Sequence, residues 1–198
     1  MKLSIFGKLI ATSTLALALT GCIDVEMDVA LTSETTARTT TTQIMSAEFY
    51  EMVSMEGEEG SDEEGFCVDG ELTENADGSA ICVEVQEGPF ADFLDADEEQ
   101  SMTFTQEGPN LVRVTLPMGG VEAEVGAGEE MDAETRAMMA SMFEGRTVTL
   151  SVSGVEIVET NMEKSADGKS ASIVLYFMDI FDGETGIDGD LFALVRTP

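Results

Sequence analysis

Apolar and polar residues alternate with a period of two along much of this chain, which is the pattern of half-buried β-strands. The first such segment runs from Ile23 to Leu31, where apolar residues alternate with Asp24, Glu26 and Asp28. A threonine-rich strand is predicted at 35–42, after a turn near 32–34. The remaining predicted strands are 66–72 and 80–85, which form a hairpin around Asn75–Gly78, then 101–105, 111–116, 148–152 continuing through 155–158, 172–177 and 191–195.

Three segments change to the three- and four-residue spacing of helices. Ser46 is a suitable N-cap for a helix that directs its apolar residues to the core. A short helix is predicted around Phe90, and the clearest helix begins with Asp132 as N-cap and stops at Gly145. The apolar positions of these helices are Phe49, Tyr50, Met52 and Val53, then Phe90, Phe93 and Leu94, then Met131, Met138, Met139, Met142 and Phe143.

Strands and helices in this order predict an α+β fold. We expect a single domain with a mainly antiparallel twisted β-sheet and two or three helices packed on one face. The methionine-rich helix has two interpretations. Its stripe is ordinary core, or Met138, Met142 and Phe143 line an adaptable apolar pocket.

The N-terminus carries a processing signal. Lys2 and Lys8 precede an apolar stretch at 9–19, which is too short to span a membrane but suits a signal peptide. Leu19-Thr20-Gly21-Cys22 then resembles the lipobox of bacterial lipoprotein precursors. The resemblance implies removal of residues 1–21 and lipidation of Cys22, whose acyl chains would anchor the protein to a membrane. The alternative is a secreted protein with a chance cysteine at its cleavage site.

Residue 23 is isoleucine, whereas aspartate after the lipidated cysteine marks inner-membrane retention in Gram-negative lipoproteins. The resemblance therefore implies the periplasmic face of the outer membrane of a Gram-negative bacterium.

The mature chain, residues 22–198, has the length of one domain. Seven basic residues face 40 acidic ones, a net charge of −33, because Lys2 and Lys8 are lost with the signal peptide. Nucleic acid is therefore excluded as a general partner. The acidity fits adaptation to salt or cation binding, and six acids make 56–65 an acidic mobile loop.

Once Cys22 carries lipid, Cys67 and Cys82 are the remaining cysteines. An exported compartment favours their oxidation, so we predict a structural disulfide between them.

No catalytic motif is present. The chain contains no histidine, which removes the commonest general base and a common metal ligand. Asp182, Glu184, Asp188 and Asp190 are weak calcium candidates, because their spacing does not match an EF-hand loop. A carboxylate-dependent hydrolase has no positive support, since 40 acids make chance pairs common. We expect a non-enzymatic protein without a cofactor.

One family shares this order of elements. The segments FEGRTVTLSVSGVEIVETN and SADGKSASIVLYFMDIF, from Val148–Val158 through the Asp167-Gly168 turn to Ile173–Phe177, resemble LppM-type lipoprotein domains. That resemblance implies a small α+β envelope domain in contact with envelope lipids.

Two functions from different classes follow. The first is a membrane-anchored module that binds a lipid or other apolar ligand between the sheet and the methionine-rich helix. The alternative is an assembly module that docks another envelope protein through a sheet edge or an apolar face. A closed cavity near Met138 favours the first, and an exposed strand edge favours the second.

Overall fold

A computed structural model describes residues 23–57, 66–93, 102–119, 121 and 133–198. These ranges contain both strands and helices in one domain, which confirms the α+β class. The strands are β1 (Ile23–Leu31), β2 (Thr36–Met45), β3 (Glu71–Glu74), β4 (Ala80–Pro89), β5 (Thr103–Gly108), β6 (Leu111–Leu116), β7 (Thr147–Ser153), β8 (Glu156–Thr160), β9 (Glu163–Lys164), β10 (Ser170–Tyr176) and β11 (Leu191–Arg196). The helices are α1 (Ala47–Gly57), a 3-10 helix (Phe90–Phe93), α2 (Ala133–Phe143) and α3 (Phe177–Phe181).

The strands divide between two sheets. The large sheet has the order β3-β4-β2-β1-β7-β10-β9, and the small sheet has the order β5-β6-β11-β8. Neighbouring strands are antiparallel except for β1 and β7, which are parallel. β1 is the fourth of the seven strands and lies in the middle of the large sheet.

The core lies between the two sheets. Val29, Val152 and Ala171 of the large sheet face the small sheet and are almost completely buried. The small sheet contributes the alternate residues of β6 and β11, and Ile157 of β8. This face of the large sheet is called the core face below. In β1 and β7 the apolar residues alternate with polar ones, so the opposite face is polar along these two strands.

The chain passes from one sheet to the other at Gly154, between β7 and β8. The sequence predicted one strand interrupted by this glycine, but β7 and β8 belong to different sheets. A Cβ at Gly154 would lie 2.3 Å from Cγ1 of Val195 and 3.0 Å from the carbonyl oxygen of Arg196. Only glycine allows the two backbones to approach this closely.

Helices α1 and α3 contact residues on the core face, and α2 contacts α3. On α1, the Tyr50 hydroxyl donates a 2.7 Å hydrogen bond to Glu74 of β3, whose side chain points to the same face as the buried Ala80. Ile180 of α3 belongs to the core. Phe143 of α2 stacks on Phe177 at 4.1 Å between ring centroids.

Several predicted boundaries were wrong. Residues 66–70 form turns, so the β3–β4 hairpin begins only at Glu71. Phe177 starts α3 and does not end β10. Met52 of α1 is exposed and does not face the core. Residues 56 and 57 belong to α1, whereas 58–65 of the predicted acidic loop lie outside the described residues.

The predicted disulfide between Cys67 and Cys82 is present, with a Cα–Cα distance of 5.6 Å. It joins the turn before β3 to the second strand of the hairpin. Gly70 lies directly against it, because a Cβ at this position would be 2.6 Å from the Cys82 sulfur. The bond therefore fixes the end of the large sheet that α1 contacts.

Candidate binding surface

The face of the large sheet opposite the core, called the open face below, is free of buried side chains in the described part of the chain. The strand registers place alternate residues on it. Each of these side chains is half-buried or exposed. On the five inner strands they are Asp24, Glu26, Asp28 and Ala30 of β1, Thr36, Arg38, Thr40, Thr42 and Ile44 of β2, Ile81, Val83, Val85 and Glu87 of β4, Thr147, Thr149, Ser151 and Ser153 of β7, and Ser170, Ser172, Val174 and Tyr176 of β10.

Carboxylates run along the centre of the open face. Asp28 accepts a 2.5 Å hydrogen bond from the Ser151 hydroxyl. Asp24 accepts the backbone N–H of Thr147 at 2.8 Å and forms an ion pair with Arg146. Glu26 lies between them in the strand and is exposed. Hydroxyl-bearing residues of β2 and β7 flank this row on both sides, so the middle of the face is strongly polar and acidic.

Apolar side chains occur at both sides of the open face. Val85 of β4 is 47% exposed on one side, and Val174 and Tyr176 of β10 are 57% and 56% exposed on the other. Ile81 and Val83 continue the first group as half-buried residues. Large apolar side chains exposed on a sheet face cost solvation free energy, and such patches mark interaction surfaces.

No pattern in the sequence singled out the open face. The run from Ile173 to Phe177 is continuously apolar, which hides the fact that Val174 and Tyr176 lie on the polar side of the sheet. The signal that was available is the pairing of strands. Once β10 is aligned with β7, Val174 lies opposite Thr149 and Tyr176 opposite Thr147.

The residues predicted to line an apolar pocket do not share one environment. Met138 is 56% exposed, so the prediction that it is buried was wrong. Met139 and Met142 are half-buried. The Phe143 ring stacks on Phe177, so this face of the ring does not line a pocket. Met131 and the predicted N-cap Asp132 lie outside the described residues.

The weak calcium candidates are arranged around a loop, not around a common centre. Asp182 forms a 2.6 Å ion pair with Arg136 of α2, while Glu184, Asp188 and Asp190 are exposed. Across 23–57, 66–93, 102–119 and 133–198, no group of three or more His, Cys, Asp or Glu side chains is placed to hold a metal ion. Asp182 instead binds the side chain of Arg136 on α2.

Hydrogen bonds shift the pKa of three groups near turns and helix α1. The pKa of Tyr50 is raised because its hydroxyl donates to Glu74, which favours the neutral phenol. The pKa of Asp77 is lowered by hydrogen bonds from Ser79, and that of Asp167 by hydrogen bonds from Ser165 and Lys169. Asp77 and Asp167 are exposed and Tyr50 is half-buried, and all three shifts report local hydrogen-bond geometry.

The signal peptide and Cys22 lie outside the described residues, and their assignment stays a prediction. Among the described helices, none is long and apolar enough to cross a membrane.

No protein-family model and no curated protein matches the sequence. Among solved structures, the chain is similar to the NMR structure of the folded domain of LppM from Mycobacterium tuberculosis. The two share 9% sequence identity with a TM-score of 0.46, and the match covers 89% of this chain and 91% of that one. This is a distant structural resemblance, and it does not assign the chain to a family.

Proposed function

We propose that this protein is a non-enzymatic envelope lipoprotein, tethered by a lipid on Cys22, that docks another envelope protein through its open face. The observation that carries the proposal is the open face itself. In the described chain this wide sheet surface has no buried side chain, yet it exposes Val85, Val174 and Tyr176. An open sheet surface with exposed apolar side chains suits association with another protein better than the enclosure of a small molecule.

The position of β1 relates this surface to the proposed anchor. β1 begins at Ile23, the residue after Cys22, and it is the central strand of the open face. Consecutive Cα atoms are about 3.8 Å apart, so a lipid on Cys22 would hold that end of the sheet at the membrane surface. The partner would then be a protein at the same membrane.

The competing function is an apolar-ligand pocket beside α2. The exposure of Met138 and the occupation of Phe143 by Phe177 speak against it. Stoichiometric lipid in organic extracts of the purified Cys22→Ser protein would reverse this preference.

Site-specific photocrosslinking in the native host tests the docking surface. A photoreactive phenylalanine derivative replaces Thr149 on the open face, and in a matched control it replaces Thr105 on β5, which is exposed on the small sheet. We expect one protein adduct from position 149, absent from position 105. Adducts of equal yield from both positions, or none from position 149, would contradict the proposal.

The anchor is tested separately by mass spectrometry of the mature protein. We expect an N-terminal Cys22 with diacylglycerol, and release of the Cys22→Ser variant from membranes. A mature N-terminus elsewhere, or a Cys22 without lipid, would disprove the lipoprotein assignment and leave the docking test unaffected.

A further inference from the structure

Strand β10 has a partly unpaired outer edge. It pairs with β7 along its full length, from Ser170 to Tyr176. On its other side it pairs with β9 only at Ala171 and Ser172. The edge beyond Ser172 therefore lacks a neighbouring strand in the described sheet.

The hydrogen bonds at both ends of β10 show which backbone groups point to this edge. On the β7 side, the Gly154 N–H donates to the Lys169 carbonyl and the Phe177 N–H donates to the Arg146 carbonyl, so odd-numbered residues face β7. On the β9 side, the Ser165 N–H donates to the Ser170 carbonyl. Even-numbered residues thus face outward, and within the described chain the outward groups of Val174 and the N–H of Tyr176 have no hydrogen-bond partner.

The chain leaves this edge unpaired because it changes sheets. Continuing the β9 register, in which Ser172 lies opposite Glu163, would place Asn161 opposite Val174. Asn161 is used elsewhere, since its side chain donates to the Asp190 carbonyl at 2.9 Å and accepts the Phe192 N–H at 2.8 Å. The segment that enters β9 is therefore held by the small sheet.

The surroundings of the edge define the chemistry of a strand that would fill it. The exposed side chains of Val174 and Tyr176 stand beside it on the open face. Near its two ends, Glu163 of β9 and Asp179 of α3 are acidic and exposed, and Lys164, which lies opposite Ala171, is basic. With a net charge of −31 over the whole sequence, a second copy of this chain would be repelled.

We infer that the outer edge of β10 binds an extended, positively charged segment of a partner protein by β-strand addition. The segment pairs antiparallel with Val174 and Tyr176, continues the ladder of β9 and places apolar side chains against theirs. The inference rests on the proposed docking function and specifies how the partner is held.

The geometry of Tyr176 permits a backbone-specific test. Its φ is −75° and ψ is 134°, values that proline adopts, and the preceding Leu175 lies in a strand as a residue before proline requires. Tyr176→Pro therefore removes the outward N–H without forcing a new backbone conformation. Tyr176→Ala is its matched control, because it also loses the ring but keeps the N–H.

Binding is measured with the mature Cys22→Ser chain and a fluorescent octapeptide of alternating lysine and valine. A lysine–glycine octapeptide of equal charge serves as the control for non-specific attraction. We expect the lysine–valine peptide to bind more tightly, and Tyr176→Pro to weaken it about tenfold relative to Tyr176→Ala, the effect of losing one hydrogen bond. Equal affinity for the two peptides, or for the two variants, would overturn the inference.

Amide hydrogen exchange on the mature Cys22→Ser chain, with Tyr176 unchanged, provides a second test. This test is independent of any effect of proline on folding. We expect the lysine–valine peptide to slow exchange at the amides of Val174 and Tyr176. Protection elsewhere without protection at these amides would refute strand addition. Photocrosslinks from position 149 combined with unprotected amides would mean that a partner docks on the open face but not at this edge.

Discussion

At the scale of single residues, the change of strand at Gly154 was visible in the sequence only as a phase shift. Val148, Leu150 and Val152 are buried at even positions, whereas Ile157 is buried at an odd one. Alternation within one sheet cannot change phase without a bulge or a break. The sequence nevertheless predicted that the strand continues past Gly154, because the contact with Val195 that requires glycine depends on packing between distant segments.

Replacing Gly154 with alanine should destabilise the protein. The new methyl group would collide with Val195 and with the backbone of Arg196, and overpacking of this kind costs about 1–3 kcal/mol of unfolding free energy. Gly119→Ala is the control, because a Cβ there meets no atom within 4 Å. Urea unfolding followed by circular dichroism measures both. Equal urea midpoints for the two variants would show that the structure accommodates a methyl group at position 154, and would contradict the prediction.

The hydrogen bond from Tyr50 to Glu74 predicts a pH-dependent contribution to stability. Because the folded-state pKa of Tyr50 is raised above its ordinary value of 10.0, this contribution is complete below pH 10.0 and is lost as pH rises through the folded pKa. The chain has two tyrosines, so a Tyr176→Phe background isolates Tyr50 in an ultraviolet absorbance titration. We expect Glu74→Gln to lower the pKa of Tyr50, and an unchanged titration would exclude the hydrogen bond.

At the scale of elements, the strands were largely predictable because their side chains alternate, and their boundaries were less so. β1, β6 and β11 lie within a residue of their predicted limits. Residues 66–70 look like a strand but form turns, because the disulfide and Gly70 fix that backbone. The exposure of Met138 was unpredictable, since the position of α2 depends on the contact between Phe143 and Phe177.

The disulfide should contribute measurably to the stability of the β3–β4 hairpin. β3 has four residues, all exposed, and buries little apolar surface of its own. Closing a loop of 15 residues lowers the entropy of the unfolded chain by an amount worth about 3 kcal/mol. In a Cys22→Ser background, we expect replacement of both Cys67 and Cys82 by serine to reduce the free energy of urea unfolding by about this amount. A change near zero would indicate that other contacts hold the hairpin.

At the scale of the whole molecule, acidity dominates the behaviour in solution. The 40 acidic residues meet only nine basic ones, and the described ion pairs engage four arginines. The composition revealed this charge from the outset. It did not reveal that part of the excess lies in a row on the open face, because that placement follows from strand register.

Salt should therefore stabilise the fold. Raising the ionic strength to about 1 M shortens the screening length to roughly 3 Å and reduces repulsion among the carboxylates. We expect the melting temperature to rise steadily with sodium chloride, measured by circular dichroism. Sucrose at matched osmolarity controls for general solvent effects. A melting temperature that falls with salt would mean that the few ion pairs outweigh the net repulsion.

The parallel pairing of β1 with β7 also sets the order in which the protein can be assembled. Asp24 and Thr147, which meet across this pair, are separated by 123 residues. β1 leaves the ribosome early, and it can form a hairpin with β2 at once, but its other neighbour is synthesised much later. Contacts of such long range form slowly. The edge of β1 that pairs with β7 therefore stays without its neighbour until most of the chain has been made, so the large sheet cannot be completed from the N-terminal strands alone.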